Sequence, residues 1–110
     1  MVNYIPKKGD IISINFDPTI GHEQHGKRPA IVISNYDFNK NTQMIICCPI
    51  STNQKEFPTH YILKNTKKIY GAVFLEHIRS FDYNARNISF IEKVKTEELE
   101  EITELLYECI

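Results

Sequence analysis

Long apolar runs are missing from this 110-residue chain. No window approaches the roughly 18 apolar residues of a membrane span, and the N-terminus lacks the apolar core of a secretory leader. A cytoplasmic location without a membrane partner is therefore expected. A disulfide framework is missing as well: Cys47 and Cys48 are adjacent, Cys109 stands near the C-terminus, and three is an odd count. Apolar neighbours mark all three as small buried hydrophobes, and metal-ligand spacing is absent. Repeats, linkers and low-complexity tracts are lacking too, so residues 1–110 read as one domain with a modest core. Net positive charge, the usual mark of a nucleic-acid binder, is also absent, since the formal charge is −1.

The distribution of charge is more telling than its sum. All 13 Lys and Arg lie between Lys7 and Lys95, whereas Glu97, Glu98, Glu100, Glu101, Glu104 and Glu108 supply six of the 14 acids. Such an asymmetry can leave a basic face on a nearly neutral protein. The competing reading of the acidic end is a solvated helix.

Ile12, Ile14 and Phe16 alternate with Ser13 and Asn15, the period of a half-buried strand. Asp17-Pro18 ends it, and a polar loop from Thr19 to Lys27 follows. Ala30 to Ile33 is a short β-branched run suited to a buried strand, Asn35 to Thr42 reads as a turn, and Met44 to Cys48 is a strand closed by Pro49. His60 to Leu63 and Gly71 to Leu75 suggest a hairpin, and Ile78 to Phe81 and Asn87 to Ile91 two further strands around a bend at 83–86. The period then changes. Thr96 can cap a helix with Glu97 and Glu98 in its first turn, and Leu99, Ile102, Leu106, Cys109 and Ile110 form one apolar stripe. Six or seven short strands and one amphipathic helix describe a mainly β protein, a small twisted barrel with a C-terminal α-helix.

Two windows could carry chemistry. The long loop holds Thr19, His22, Glu23, Gln24 and His25, and ends at Arg28-Pro29-Ala30. Proline keeps Arg28 extended at the start of a buried strand, a rigid mount for a guanidinium whose forked donors suit a phosphate. The second window, Cys48 to Pro58, sets Ser51 and Thr52 at a strand end before Lys55 and Phe57. Its hydroxyls could bond a phosphate, or could merely make a turn.

Together these windows resemble the MazF/PemK family of toxins. The match runs through Pro6, Gly9-Asp10-Ile11, Phe16 to Thr19, Gly21, Glu23-Gln24, Gly26, Arg28-Pro29-Ala30 and Val32 to Ser34. It continues in order through Pro49, Pro58, Gly71, Glu76 to Ser80 and Ala85-Arg86. The resemblance implies a CcdB-like, SH3-like barrel, a homodimer, sequence-selective cleavage of single-stranded RNA without a cofactor, and a cognate antitoxin whose disordered tail occupies the RNA groove. It makes Arg28 the catalytic arginine and Glu23 a carboxylate tied to activity. Ser51 stands where the family usually has a catalytic threonine, and Thr52 beside it leaves that assignment open.

RNA carries its own nucleophile, the ribose 2′-hydroxyl, so a metal is not required. A site must instead stabilise a phosphorane and move protons, tasks for which Arg28 supplies charge, Ser51 or Thr52 hydrogen bonds, and Glu23 a candidate base. Thr19, His22, Gln24, Lys55, Phe57, Arg79 and Arg86, with Tyr83, are candidates for holding the strand through charge and ring faces. His22 and His25 could form an acid–base pair. A zinc site at His22-Glu23-Gln24-His25 lacks the three-residue spacing of the helical zinc motif. His60 and His77 read as packing or solvent-facing residues, and Phe16, Phe74 and Phe90 as core. Other readings of the chain are a CcdB-like toxin that binds a protein target without chemistry, and an SH3-like binding module.

Overall fold

The computed structural model describes residues 4–16 and 27–110. Among them are strands β1 (Asp10–Asn15), β2 (Lys27–Val32), β3 (Met44–Ser51), β4 (His60–Ile62), β5 (Ala72–Phe74), β6 (Arg79–Asp82) and β7 (Ser89–Lys93). Helix α1 (Tyr36–Thr42) joins β2 to β3, and α2 (Thr96–Cys109) ends the chain. The strands form one antiparallel sheet in the order β4-β5-β3-β2-β1-β7, with β6 beside the first half of β3 and β5 beside its end. The architecture is thus the expected one, mostly sheet with a C-terminal helix.

Alternation along the strands separates two apolar clusters, one on each face. Ile11, Ile31, Cys48, Ile50, Tyr61 and Val73 face α2, whose Ile102 and Leu106 complete that side. Ile12, Ile14, Ala30, Val32, Ile45, Cys47 and Phe81 turn the other way, joined by Tyr83 and by the partly buried Phe16. Both faces of the central strands are therefore covered, which is why β1 and β2 carry apolar residues at consecutive positions. The register of β1 with β7 slips between Ile11 and Ile12, so Ile91 has no direct opposite, the mark of a bulge that strengthens local twist.

Several local expectations need correction. Residues 36–42 form a helix rather than a turn. The Asn35 side chain accepts from the Phe38 N–H at 2.9 Å, Asp37 lies in the first turn, and Gln43 closes the end in a left-handed conformation. Pro49 does not close β3, which continues to Ser51. Thr96 is the first helical residue, and Lys95 takes the cap position without a side-chain bond. The acidic helix is not wholly solvated, because Glu98 is only 2% exposed and accepts the N–H groups of Lys64 and Asn65. Cys109 is exposed, and Phe90 is 51% exposed where a core position was expected. β7 follows β1 on the outer flank of the sheet, so its side chains are only half covered.

Candidate functional site

Arg28 lies on β2 opposite Ile14 of β1, and its side chain is exposed. The β2–β3 ladder pairs Val32 with Cys47, Ile31 with Cys48 and Ala30 with Pro49. The pairing ends there; continued by two residues, its register would bring Arg28 across from Ser51, the last residue of β3. Alternation along each strand puts Arg28 on the face of Ala30 and Ser51 on the face of Pro49, and these two are paired and share a face. The shared face is the one bearing Ile14, Ala30, Val32 and Cys47, turned away from α2. Among the described residues no carboxylate forms an ion pair with Arg28.

Past Ser51 the backbone turns on its own side chains. Ser51 Oγ accepts from the Asn53 N–H at 3.0 Å, and Asn53 Oδ1 accepts from the Lys55 N–H at 3.1 Å. These bonds use acceptor capacity, so the Ser51 O–H keeps its proton to donate to another group. Thr52 is exposed beside it. Gly71 supports the turn from behind: its φ is +148°, and a Cβ there would collide with the Ser51 carbonyl group.

The other expected residues divide. Arg79 pairs with Cys47 across β3 and β6, so it shares the face of Arg28 and Ser51, four residues along β3 from Ser51. That separation is about 13 Å at the usual strand rise. Its guanidinium lies 4.8 Å from the Phe81 ring. Arg86 also stacks on Phe81, at 4.6 Å, and its Nη1 donates to the carbonyls of Asn15 and Phe16 at 3.3 Å each. Arg86 thus holds the end of β1. Lys55 and Phe57 are exposed on the segment after Ser51, and Tyr83 is buried with its hydroxyl donating to the Asn39 carbonyl. Thr19, His22, Glu23, Gln24 and His25 lie outside the described residues.

Sequence reasoning missed a polar cluster on the same face. His60 pairs with Phe74 across β4 and β5, and Ala72, two residues back, pairs with Ser51. The His60 ring stacks flat on Phe74 at 3.8 Å and lies 5.2 Å from the exposed ring of Phe57. His60 Nδ1 is 3.1 Å from the Lys55 carbonyl, and Nε2 is 2.9 Å from Glu76 Oε2. Thr59 Oγ1 donates to the other Glu76 oxygen at 2.6 Å. Burial opposes the imidazolium charge, but the Lys55 carbonyl and the Glu76 carboxylate outweigh it, and the His60 pKa ends above its ordinary value. Burial likewise opposes ionisation of Glu76, yet the Thr59 hydroxyl and His60 hold its pKa below the usual range. The sequence did contain a signal: in the hairpin read from it, Glu76 follows the strand that pairs with His60.

Burial pushes the thiols of Cys47 and Cys48 up to about 12, so neither offers a thiolate nucleophile at neutral pH. Among the described residues no three His, Cys, Asp or Glu side chains are grouped as a metal site would require. No helix among them is long and apolar enough to cross a membrane.

The sheet backed by one helix is an architecture shared with small β toxins of known structure. A crystal structure of MazF from Deinococcus radiodurans superposes with a TM-score of 0.85 at 31% identity, covering 97% of both chains. A MazE–MazF complex from the same organism gives 0.84 at 26% identity, over 97% of this chain and 96% of that one. The endoribonuclease toxin MazF of Escherichia coli strain K12 is 36% identical over 97 residues, 88% of this chain and 86% of the relative. The chain belongs to the PemK-like, MazF-like toxin family of type II toxin–antitoxin systems, whose model matches residues 7–110.

Proposed function

We propose that this toxin is a metal-independent endoribonuclease that cuts single-stranded RNA at selected sequences. What supports the reading is the β2–β3 register, which, continued two residues past its last pair at Ala30 and Pro49, would bring Arg28 across from Ser51 on the face away from the acidic helix. In the reaction the 2′-oxygen attacks the adjacent phosphorus, the P–O5′ bond breaks, and the products are a 2′,3′-cyclic phosphate and a 5′-hydroxyl. The 2′-proton must leave and a proton must reach the departing oxygen, so atoms and charge balance without water or metal.

Arg28 stabilises the phosphorane, where a preorganised donor is worth about 3–4 kcal/mol. It serves poorly as a base, because a guanidinium with pKa above about 12 is almost never neutral at pH 7. Ser51 or Thr52 donates to a non-bridging oxygen. Glu23 takes the 2′-proton or holds the loop before Arg28. Lys55, Phe57 and Arg79 extend the surface along the strand, joined by Thr19, His22 and Gln24 of that loop, and Arg86 acts through the end of β1 that it holds. A single domain over residues 1–110, an SH3-like, CcdB-like barrel and a homodimer complete the reading. The partner is a cognate antitoxin, as the MazE–MazF complex suggests.

The test is cleavage of a labelled single-stranded RNA in EDTA, with end-group analysis. Cyclic-phosphate ends that Arg28→Ala reduces at least a hundredfold are expected. Cleavage that requires a divalent cation, or that survives Arg28→Ala, would overturn the reading.

A further inference from the structure

We propose that His60 is a positioning residue for RNA cleavage: as an imidazolium it ties the Lys55 carbonyl to the Glu76 carboxylate and pins the segment carrying Ser51 and Thr52, so cleavage declines as His60 loses its proton. This role rests on the ribonuclease reading above. Both ring nitrogens face groups that only accept hydrogen bonds, the Lys55 carbonyl at 3.1 Å and the Glu76 carboxylate at 2.9 Å. Two donors are needed to satisfy them, and only the doubly protonated ring has two. The side chain is 8% exposed, so water is a poor substitute for a lost bond.

The geometry links this bond to the site in two ways. Lys55 closes the chain of turns that begins at Ser51 Oγ and passes through Asn53. The pairs Ser51–Ala72 and Phe74–His60 also put the imidazole on the same face as Ser51, one strand beyond β5. An anchor at Lys55 therefore limits how far the hydroxyls can drift, and about 1 Å of misplacement can cost a hundredfold in rate.

Among the described residues, the charged groups around the ring are few. The Glu76 carboxylate favours the imidazolium and the Lys55 ammonium opposes it. His77 Nε2 stands 3.8 Å from the same Glu76 oxygen. Glu56 and Lys64 line the groove beside His60, and Glu108 of α2 lines the hollow beyond Thr59 and Glu76. Phe57 and Phe74, which cover the ring faces, carry no charge. Because the His60 pKa is raised on folding, the tie is complete below its ordinary value of about 6.5 and weakens as pH rises through the folded value. Glu76, held below its ordinary range, stays ionised throughout that window.

The experiment measures kcat and KM for single-stranded RNA in EDTA from pH 5.5 to 9, alongside an NMR titration of the imidazole, for the wild type, Glu76→Gln and His60→Gln. The wild type is expected to lose kcat on an alkaline limb whose midpoint coincides with the His60 titration. Glu76→Gln should move limb and titration together to lower pH. His60→Gln should lose the limb and about tenfold in kcat, with KM changed less. Glu76→Gln leaves the bond to Lys55 in place, so it reports even if His60→Gln folds poorly. A limb that persists in His60→Gln, or stays put in Glu76→Gln while the titration moves, would overturn this role and leave the ribonuclease reading standing. Failure of the wild type to cleave at any pH would sink both.

Discussion

At the scale of single residues, Arg28 and Ser51 are related through the strands that carry them, since the β2–β3 pairing ends at Ala30 and Pro49, two residues short of each. A guanidinium at the edge of a ladder is held by its neighbours: Pro29 fixes the chain behind it, and Ala30 is fully buried. The hydroxyl is held by the turn it caps. The two hydroxyls are therefore not equivalent. Ser51 is half-buried and already accepts a backbone N–H, whereas Thr52 is exposed. Ser51→Ala removes both a donor and the cap of the turn, and is expected to lower kcat about a hundredfold. Thr52→Ala should cost less than tenfold if Ser51 is the acting hydroxyl, and the reverse order would reassign the role. Single-turnover cleavage of the same RNA by both variants decides it.

Among the elements, the segment after β3 shows how local structure and site depend on each other. Gly71 precedes β5, where its backbone passes against Ser51 with no room for a methyl group and with a φ that other residues rarely adopt. Gly71→Ala must displace the end of β3, so it should reduce cleavage at least tenfold beyond any loss of melting temperature. The control is Ile102→Ala on the opposite face, which should cost about 2–5 kcal/mol of stability and leave kcat of the folded fraction unchanged. A Gly71→Ala enzyme that melts early yet cleaves at the normal rate would separate the glycine from the site.

The elements also differ in how legible they were. β1, β2 and the β4–β5 hairpin announce themselves because burial of alternate or consecutive positions is what their side chains encode. Helix α1 hid behind residues that favour turns: Asn35, Asp37, Asn39 and Asn41 compete for the backbone, and only the cap at Asn35 and the buried bonds of Asn39 tip the balance. Asn39 donates to the nearby Ser34 carbonyl and to the Pro6 carbonyl, the latter 33 residues away in sequence, a contact that no local pattern shows. For the site, Arg28 and Ser51 could be picked out from their positions at strand ends. Their register could not, since it depends on where β2 and β3 meet. His60 and Glu76 were passed over because each is an ordinary residue until the hairpin and the turn after β5 bring them within 2.9 Å.

Over the whole molecule, a formal charge of −1 conceals a division made by the sheet. Helix α2, with its run of glutamates, packs against one face, and Arg28 and Arg79 project from the other. The sheet and its two apolar layers stand between them, so the carboxylates repel an approaching phosphate chain less than the net charge suggests. Part of their charge is also spent locally, on the backbone N–H groups of 64–65 and on Lys64. RNA affinity should therefore respond to salt as that of a basic protein. Each phosphate neutralised steepens the plot of log K against log salt by about 0.7 for a single strand. Lys55→Ala should flatten that slope by about 0.7, one phosphate contact, while Glu100→Gln with Glu104→Gln on the far face should leave it unchanged within error. Binding titrations of a non-cleavable RNA, with the attacking 2′-hydroxyl replaced by hydrogen, give the slopes directly. If the helix variants steepen the slope as much as Lys55→Ala flattens it, the strand crosses α2 instead, and the face bearing Arg28 is not where RNA lies.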